Sequence, residues 1–191
     1  MFLNKNLVFE IVYEPNLILS CVSKNVDIIN NKIITFSKKL YDTMKFYNAV
    51  GLASTQVGVL KKIITLNTSI LNPYLTKKIE DNILINAKIT KYSKDKFEFD
   101  EGCLSFGQFS ITTQRYKIVH VEYKNIKGET KKIQATQTLL CACLQHEIDH
   151  TNGILFYQRI PDVYKKKQMY IEYINNKKLY YLNNMNTISQ K

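Results

Sequence analysis

Gln145-His146-Glu147-Ile148-Asp149-His150 sets two imidazoles four residues apart, with a carboxylate beside the first. In a helix, residues i and i+4 lie about 40° apart around the axis and about 6 Å apart along it, so His146 and His150 share a face and can reach one cation. Glu147 then stands where it can take a proton from water polarised by that cation, which is the chemistry of metal-assisted hydrolysis. Only three of the five positions in this His-Glu-x-x-His pattern are fixed. An ordinary helix with two surface imidazoles and two solvated acids reads the same way, so the rest of the chain must supply the missing parts.

A catalytic cation of this type takes three protein ligands and keeps one position for water. The metzincin extension needs a histidine six residues after His150; Gly153 fits it, but Phe156 occupies the histidine position. A thermolysin-like site takes an acid from a later helix. Beyond Gly153 the acids are Asp162 and Glu172, neither in a recognisable ligand motif. His120, in Ile118-Val119-His120-Val121, reads as a strand-face imidazole. Cys143 shares a face with His146 but lies about 10 Å along the axis from His150, too far for bonds of about 2.0–2.3 Å to one ion. It reads instead as a small apolar residue facing the site or the core. Cys103, in Glu101-Gly102-Cys103-Leu104-Ser105, follows a β-type run and a glycine that lets the backbone turn. A thiol displayed there can be presented to a neighbouring helix, or be buried as a structural cysteine.

Several elements must position these groups. Ile29, Ile33, Phe36, Leu40, Met44 and Tyr47 recur in steps of three and four, predicting a helix over 23–47 with Ser23 as its N-cap. Residues 1–22 read as extended with a turn at Pro15-Asn16, and 49–58 as a small-residue loop with a close backbone approach. Short β-type runs follow at 62–66, 83–86, 89–92 and 97–99. Runs at 116–123 and 129–135 flank a hairpin turn at Asn125-Ile126-Lys127-Gly128. Thr136 or Thr138 caps the histidine helix, Asn152-Gly153 closes it, and Pro161 opens a last helix that frays beyond Asn184. Helix, many short strands, helix and helix make an α+β fold, with short mixed or antiparallel strands packed around a central metal-binding helix between an N-terminal and a C-terminal helix.

The 191 residues are enough for one domain with a tail, and 45% hydrophobic content supplies a core. No apolar run reaches the about 18 residues of a membrane span. The N-terminal stretch, with Glu10 and Glu14, reads as neither a signal nor a transit peptide. Four cysteines, Cys21, Cys103, Cys141 and Cys143, form no dense framework, so a reducing cytoplasm is expected. The net charge of +11 invites an anionic neighbour such as RNA, but the lysines are spread through the chain, with one denser run at Lys165-Lys166-Lys167.

Glu101-Gly102-Cys103-Leu104-Ser105, His146-Glu147-Ile148-Asp149-His150 and Gly51-Leu52-Ala53-Ser54-Thr55-Gln56 together resemble the three signature motifs of peptide deformylases, in that family's order and approximate spacing. The likeness runs over roughly residues 7–160. It implies a catalytic domain at 1–160, followed by a C-terminal helix and basic tail at 161–191. It implies a divalent metal held by Cys103, His146 and His150: Fe(2+) in the cell, with Zn(2+), Ni(2+) or Co(2+) able to occupy the site. Glu147 is then the proton carrier, and Gln56 and the Leu104 backbone N–H are the oxyanion donors. Val50, Ala142 and Cys143 line a methionine pocket, and the Gly51 backbone holds the substrate strand. The implied activity is removal of the formyl group from N-formylmethionyl peptides of nascent chains, in a bacterial cytosol or an organelle of bacterial descent. A monomer without membrane attachment is expected, with ribosome contact through the basic surface or C-terminal helix. Gln145, Asp149 and Glu101 read as groups supporting the ligands, with Arg115 pairing with Glu101 or Asp149 to brace the metal loop against the helix. The chain departs from the family pattern at Ala49, Ser54, Ala87, Phe106-Gly107 and Thr151. Phe106 stands where its ring could reshape the substrate groove. The alternatives are a deformylase-like protein with altered substrate or little activity, and a general metallopeptidase.

Overall fold

The computed structural model describes residues 8–75 and 78–188. Its helices and strands run α1 (Asn31–Phe46), β1 (Gly51–Ala53), β2 (Ile63–Leu66), α2 (Thr68–Leu71), β3 (Ile83–Tyr92), β4 (Lys96–Gly102), β5 (Ser110–Tyr116), β6 (Ile118–Lys124), β7 (Thr130–Thr136), α3 (Leu139–Thr151) and α4 (Val163–Ile188). The architecture is α+β. Five strands form one sheet in the order β1-β2-β3-β6-β7, and β4 and β5 form a separate ribbon. Every pairing between these strands is antiparallel.

Alternation along the strands builds the core. In β6, Val119, Val121 and Tyr123 point inward while His120 and Glu122 point away. Leu140, Leu144 and Ile148 of α3 pack on that face together with Ile64, Leu66 and Leu84. A second cluster joins Leu40 and Met44 of α1 to Leu52, Ile63 and Ile85. From Leu140 to Thr151, α3 is buried at every position, polar residues included. A helix surrounded on all sides needs a partner for each polar side chain, and those partners make the site.

Several elements differ from expectation. Helix α1 starts at its cap Asn30, whose side chain accepts from Ile33 N–H, and not at Ser23. Ser23 is instead buried, donating its N–H to Thr151 C=O at 2.9 Å, and Val26 is held by the Asn86 amide. Those ties keep the backbone before Asn30 out of the helix. The 49–58 stretch is not all loop: Gly51–Ala53 pairs with β2, and a 3-10 turn follows at Ser54–Val57. The runs at 83–86 and 89–92 are one strand with an irregular register near Asn86. The run at 97–99 extends to β4, and its polar partner β5 was not anticipated.

The Asn125–Gly128 turn is present, closed by Gly128 N–H to Asn125 C=O at 3.0 Å. Thr138, and not Thr136, caps α3, and Gly153 ends it at φ 70°. Asp162 rather than Pro161 caps α4, its carboxylate accepting from the Tyr164 and Lys165 N–H groups. That helix continues through Ile188, past Asn184. The extended reading of 1–7 and the frayed reading of 189–191 lie outside the described residues.

Candidate active site

Helix α3 carries His146, Glu147 and His150 side by side, and the turn after β4 brings Cys103 to them. The Cys103 Sγ and His146 Nε2 atoms each lie 3.2 Å from His150 Nε2, and all three ligand atoms lie within 4.8 Å of one another. A tetrahedral ion with bonds of about 2.0–2.3 Å would separate its ligand atoms by about 3.3–3.6 Å, so the cradle is near the right size. Two further observations fit a cation. Among the described residues, the buried Glu147 Oε2 beside the cradle has no hydrogen-bond partner. Glu101 Oε2 lies 2.7 Å from His146 Nδ1, which directs the other ring nitrogen into the cradle. Burial, followed by the charges of His146 and Arg115, holds His150 well below the usual imidazole range, leaving it neutral as a ligand must be. Burial also opposes charge on His146, but hydrogen bonds with Cys103 and Glu101 outweigh it and raise its pKa. A cation held by His146 would require that nitrogen to be unprotonated.

Glu147 is fully enclosed, and burial pushes its carboxyl up to about 7. Gly51 explains the tight fit around it. A Cβ at position 51 would fall 2.6 Å from Glu147 Oε1 and 2.8 Å from Cys143 Sγ, so only glycine lets β1 pass this close to α3. Gln56 is buried and its amide orientation is fixed: Oε1 accepts the Ala53 N–H at 2.9 Å, which turns Nε2 toward Cys103 Sγ and Ser105 Oγ, both at 3.4 Å. Leu104 opens the 3-10 turn that carries the cysteine loop, and the first amide of such a turn has no partner within it. Val50, Ala142 and Cys143 lie beside β1 and α3, with Val50 and Cys143 in one apolar cluster.

The expected brace around Arg115 is present and larger than anticipated. Arg115 is 1% exposed and grips Glu101 through Nε and Nη2, the latter at 2.7 Å, while its Nη1 reaches Asp149. Arg159 closes on the same Asp149 with Nε at 2.8 Å and with Nη2, and Thr113 donates to Glu101. Burial would raise Glu101, but the hydrogen bonds from Arg115 and His146 hold it down to about 2. Gln145 bonds the Tyr116 backbone at 2.9 and 3.0 Å, fastening α3 to β5 and not supporting a ligand directly. Sequence reasoning missed Arg159 and Thr113, which no local spacing marks as partners of the site. His120 lies on β6 outside the cluster, and Phe156 packs against the His146 ring at 5.9 Å. Phe106 does not face a groove: it is buried among Phe156, Tyr157 and Tyr173.

The polypeptide deformylase family model matches residues 8–166. The peptide deformylase of Buchnera aphidicola subsp. Acyrthosiphon pisum (strain Tuc7) is 35% identical over 169 residues, covering 88% of this chain and 93% of that protein. The Rhizobium meliloti (strain 1021) peptide deformylase is 34% identical over 149 residues, covering 76% and 81%. Among solved structures, the Ehrlichia chaffeensis peptide deformylase in complex with actinonin superposes with a TM-score of 0.77 at 32% identity, covering 89% of this chain and 97% of that one. Similarity of this extent, in sequence and in backbone alike, leaves one assignment: the chain belongs to the polypeptide deformylase family, metal-dependent hydrolases that remove the N-terminal formyl group.

Proposed function

We propose that Cys103, His146 and His150 hold one divalent cation, and that Glu147, Gln56 and the Leu104 N–H carry out deformylation around it. The observation that carries this reading is the three converging ligand atoms beside the unpartnered Glu147 Oε2. A divalent cation there would act as a Lewis acid, lowering the pKa of water toward neutrality and polarising a carbonyl. Glu147 accepts a proton from the attacking water as the new C–O bond forms. It then delivers that proton to the amine nitrogen as the C–N bond breaks, leaving formate and a free N-terminus. Gln56 Nε2, whose direction Ala53 fixes, and the Leu104 N–H donate to the developing oxyanion. Neither adds negative charge where negative charge develops.

Strand β1 ends its sheet, so an extended peptide can pair along Gly51 while Val50, Ala142 and Cys143 receive the methionine side chain. One thiolate and two imidazoles suit zinc as well as iron. Fe(2+) as the cellular ion rests on the family likeness, with Zn(2+), Ni(2+) and Co(2+) as substitutes. Residues 1–160 carry every group named here as the catalytic domain, and the segment 161–191 after it contains helix α4 (Val163–Ile188). We take the substrates to be nascent chains in the cytoplasm and the protein to be a monomer, with Lys165 and Lys167 of α4 exposed toward ribosomal RNA. Salt-sensitive co-sedimentation with ribosomes tests that contact.

The decisive experiment uses protein purified anaerobically with Fe(2+) or Co(2+). Formate release is measured from formyl-Met-Ala-Ser and compared with hydrolysis of its acetyl analogue, with Glu147→Ala alongside. Turnover of the formyl peptide alone, lost in the variant, is expected. Cleavage of internal peptide bonds, or no turnover by metal-loaded protein, overturns the reading.

A further inference from the structure

The loop that carries Cys103 and Leu104 is short. Its 3-10 turn is closed by Phe106 N–H to Cys103 C=O at 2.9 Å and Gly107 N–H to Leu104 C=O at 3.2 Å. Its position therefore depends on what grips the turn from outside: it buries Ser105, whose Oγ lies 3.4 Å from Gln56 Nε2, and the larger Phe106. The Phe106 ring lies edge-on to Phe156 at 4.8 Å and tilted against Tyr173 at 5.0 Å. Phe109, just past the turn, also meets Tyr173, at 5.2 Å. Tyr173 belongs to α4, far along the chain from the Cys103 motif, yet it is 5% exposed and sits in the same apolar cluster as Cys103.

A second tie runs beside the first. Tyr173 Oη lies 3.4 Å from the Glu14 carbonyl, Tyr170 Oη donates to Glu14 Oε1 at 3.1 Å, and Lys177 reaches the same carbonyl. Glu14 N–H in turn donates to Ser105 C=O at 3.0 Å, inside the turn itself. Helix α4 thus holds the loop by ring packing on Phe106 and, through Glu14, by its backbone.

We propose that Tyr173 is a positioning residue for deformylation: through Phe106 it fixes the turn that presents the Cys103 sulfur and the Leu104 N–H to α3. On this view α4 is a working part of the active site and not an appendage. Only the kinetic arm of the test below rests on the proposed roles of Cys103, Leu104 and the methionine pocket.

The test compares Tyr173→Ala with Tyr173→Phe, which restores the ring. Misplacing a reacting group by about 1 Å costs about 100-fold in rate. Tyr173→Ala is accordingly expected to lose about 10- to 100-fold in kcat with KM for formyl-Met-Ala-Ser within about twofold, because the methionine pocket lies on β1 and α3. The second readout needs neither metal nor turnover: iodoacetamide labelling of Cys103 in metal-free protein, located by peptide mass, with exposed Cys21 as the internal control. Cys103 is buried, and its labelling should rise about tenfold in Tyr173→Ala and return to the parent rate in Tyr173→Phe. If Tyr173→Ala does not fold, Tyr173→Leu, which fills most of the volume without a flat face, takes its place. A folded Ala or Leu variant with parental kcat and parental Cys103 protection overturns the proposal, even if its Tm has fallen. A parent enzyme without formyl turnover refutes the deformylase reading instead and leaves the labelling result to decide.

Discussion

Arg115→Met removes the centre of the buried charge ladder while keeping most of the side-chain volume. Arg115 lies between Glu101 and Asp149 with almost no exposure, so the variant leaves Glu101 ionised with His146 and Thr113 as its remaining partners. Breaking a buried pair by deleting one member costs about 3–5 kcal/mol. The carboxylate gives a figure of the same order: Arg115 and His146 together, working against burial, hold Glu101 from its ordinary 4.5 down to about 2, which corresponds to about 3 kcal/mol shared between them. For a domain of this size, about 3–5 kcal/mol lowers Tm by about 6–20 °C. The pH dependence has a definite sign. Because the folded pKa is depressed, the contribution is present in full above 4.5 and is lost as pH falls through about 2. The gap between parent and Arg115→Met, measured by urea unfolding of metal-free protein, should be widest near neutrality and narrow in acid. Metal affinity should fall about 10- to 100-fold, because a Glu101 no longer held by Arg115 orients the His146 ring less firmly. Arg115→Lys should rescue little, since an ammonium cannot bridge two carboxylates with a planar fork. A pH-independent stability gap, or a variant that binds Zn(2+) like the parent, would refute the reasoning.

Glu147→Gln should retain metal yet lose about 100- to 10,000-fold in kcat. In the parent enzyme, kcat/KM should fall as acidity protonates Glu147, with a midpoint at or below about 7, because a cation nearby can only lower the value set by burial; an acid limb clearly above 7 would exclude this carboxylate as the base. Gln56→Ala should cost about 100- to 1,000-fold in kcat with KM little changed, read from initial rates on the formyl peptide. Gly51→Ala should impair turnover without touching a ligand, since the new methyl needs the space of Glu147 Oε1 and Cys143 Sγ; parental kcat there would mean that β1 and α3 separate freely.

The parts of the site legible in the sequence are those set by local geometry. His146, Glu147 and His150 follow from helical periodicity, because residues four apart in a helix can have no other relation. Cys103 was not derivable that way. The residues between it and His146 contain β5, β6 and β7, and nothing in its own neighbourhood separates a displayed thiol from a buried one; motif resemblance singled it out. Asn30 and Ser23 are equally good N-caps by chemistry, and the choice is made by Thr151 and Leu60, which accept hydrogen bonds from the Ser23 and Lys24 N–H groups and keep that stretch extended. Strand β1 has three residues and no periodicity to read; its pairing is set by Ile64–Leu66 across the turn. Arg159 and Tyr173 were invisible for the same reason, since each acts on the site only after separate elements have packed.

The two halves of the metal cradle have different carriers. Two ligands ride on α3, which the core encloses, and the third rides on a short turn held from outside by Glu14, Gln56 and the rings around Phe106. The ladder Glu101–Arg115–Asp149–Arg159 alternates in sign and spans the two carriers, joining β4 and β5 to α3 and to the turn after it. Its two positive and two negative side chains balance, so it adds no net charge, and desolvating them offsets much of their mutual attraction. Its effect is therefore on where the loop sits more than on how stable the fold is. The consequence can be measured. Replacing all four together by apolar residues of similar volume should leave Tm within a few degrees of the parent, whereas Arg115→Met alone should not. The same quadruple variant should lose metal affinity, because His146 no longer has a carboxylate at Nδ1. If the quadruple variant melts as low as Arg115→Met, the ladder is a source of stability in its own right; if it binds metal as tightly as the parent, the core alone aligns the ligands.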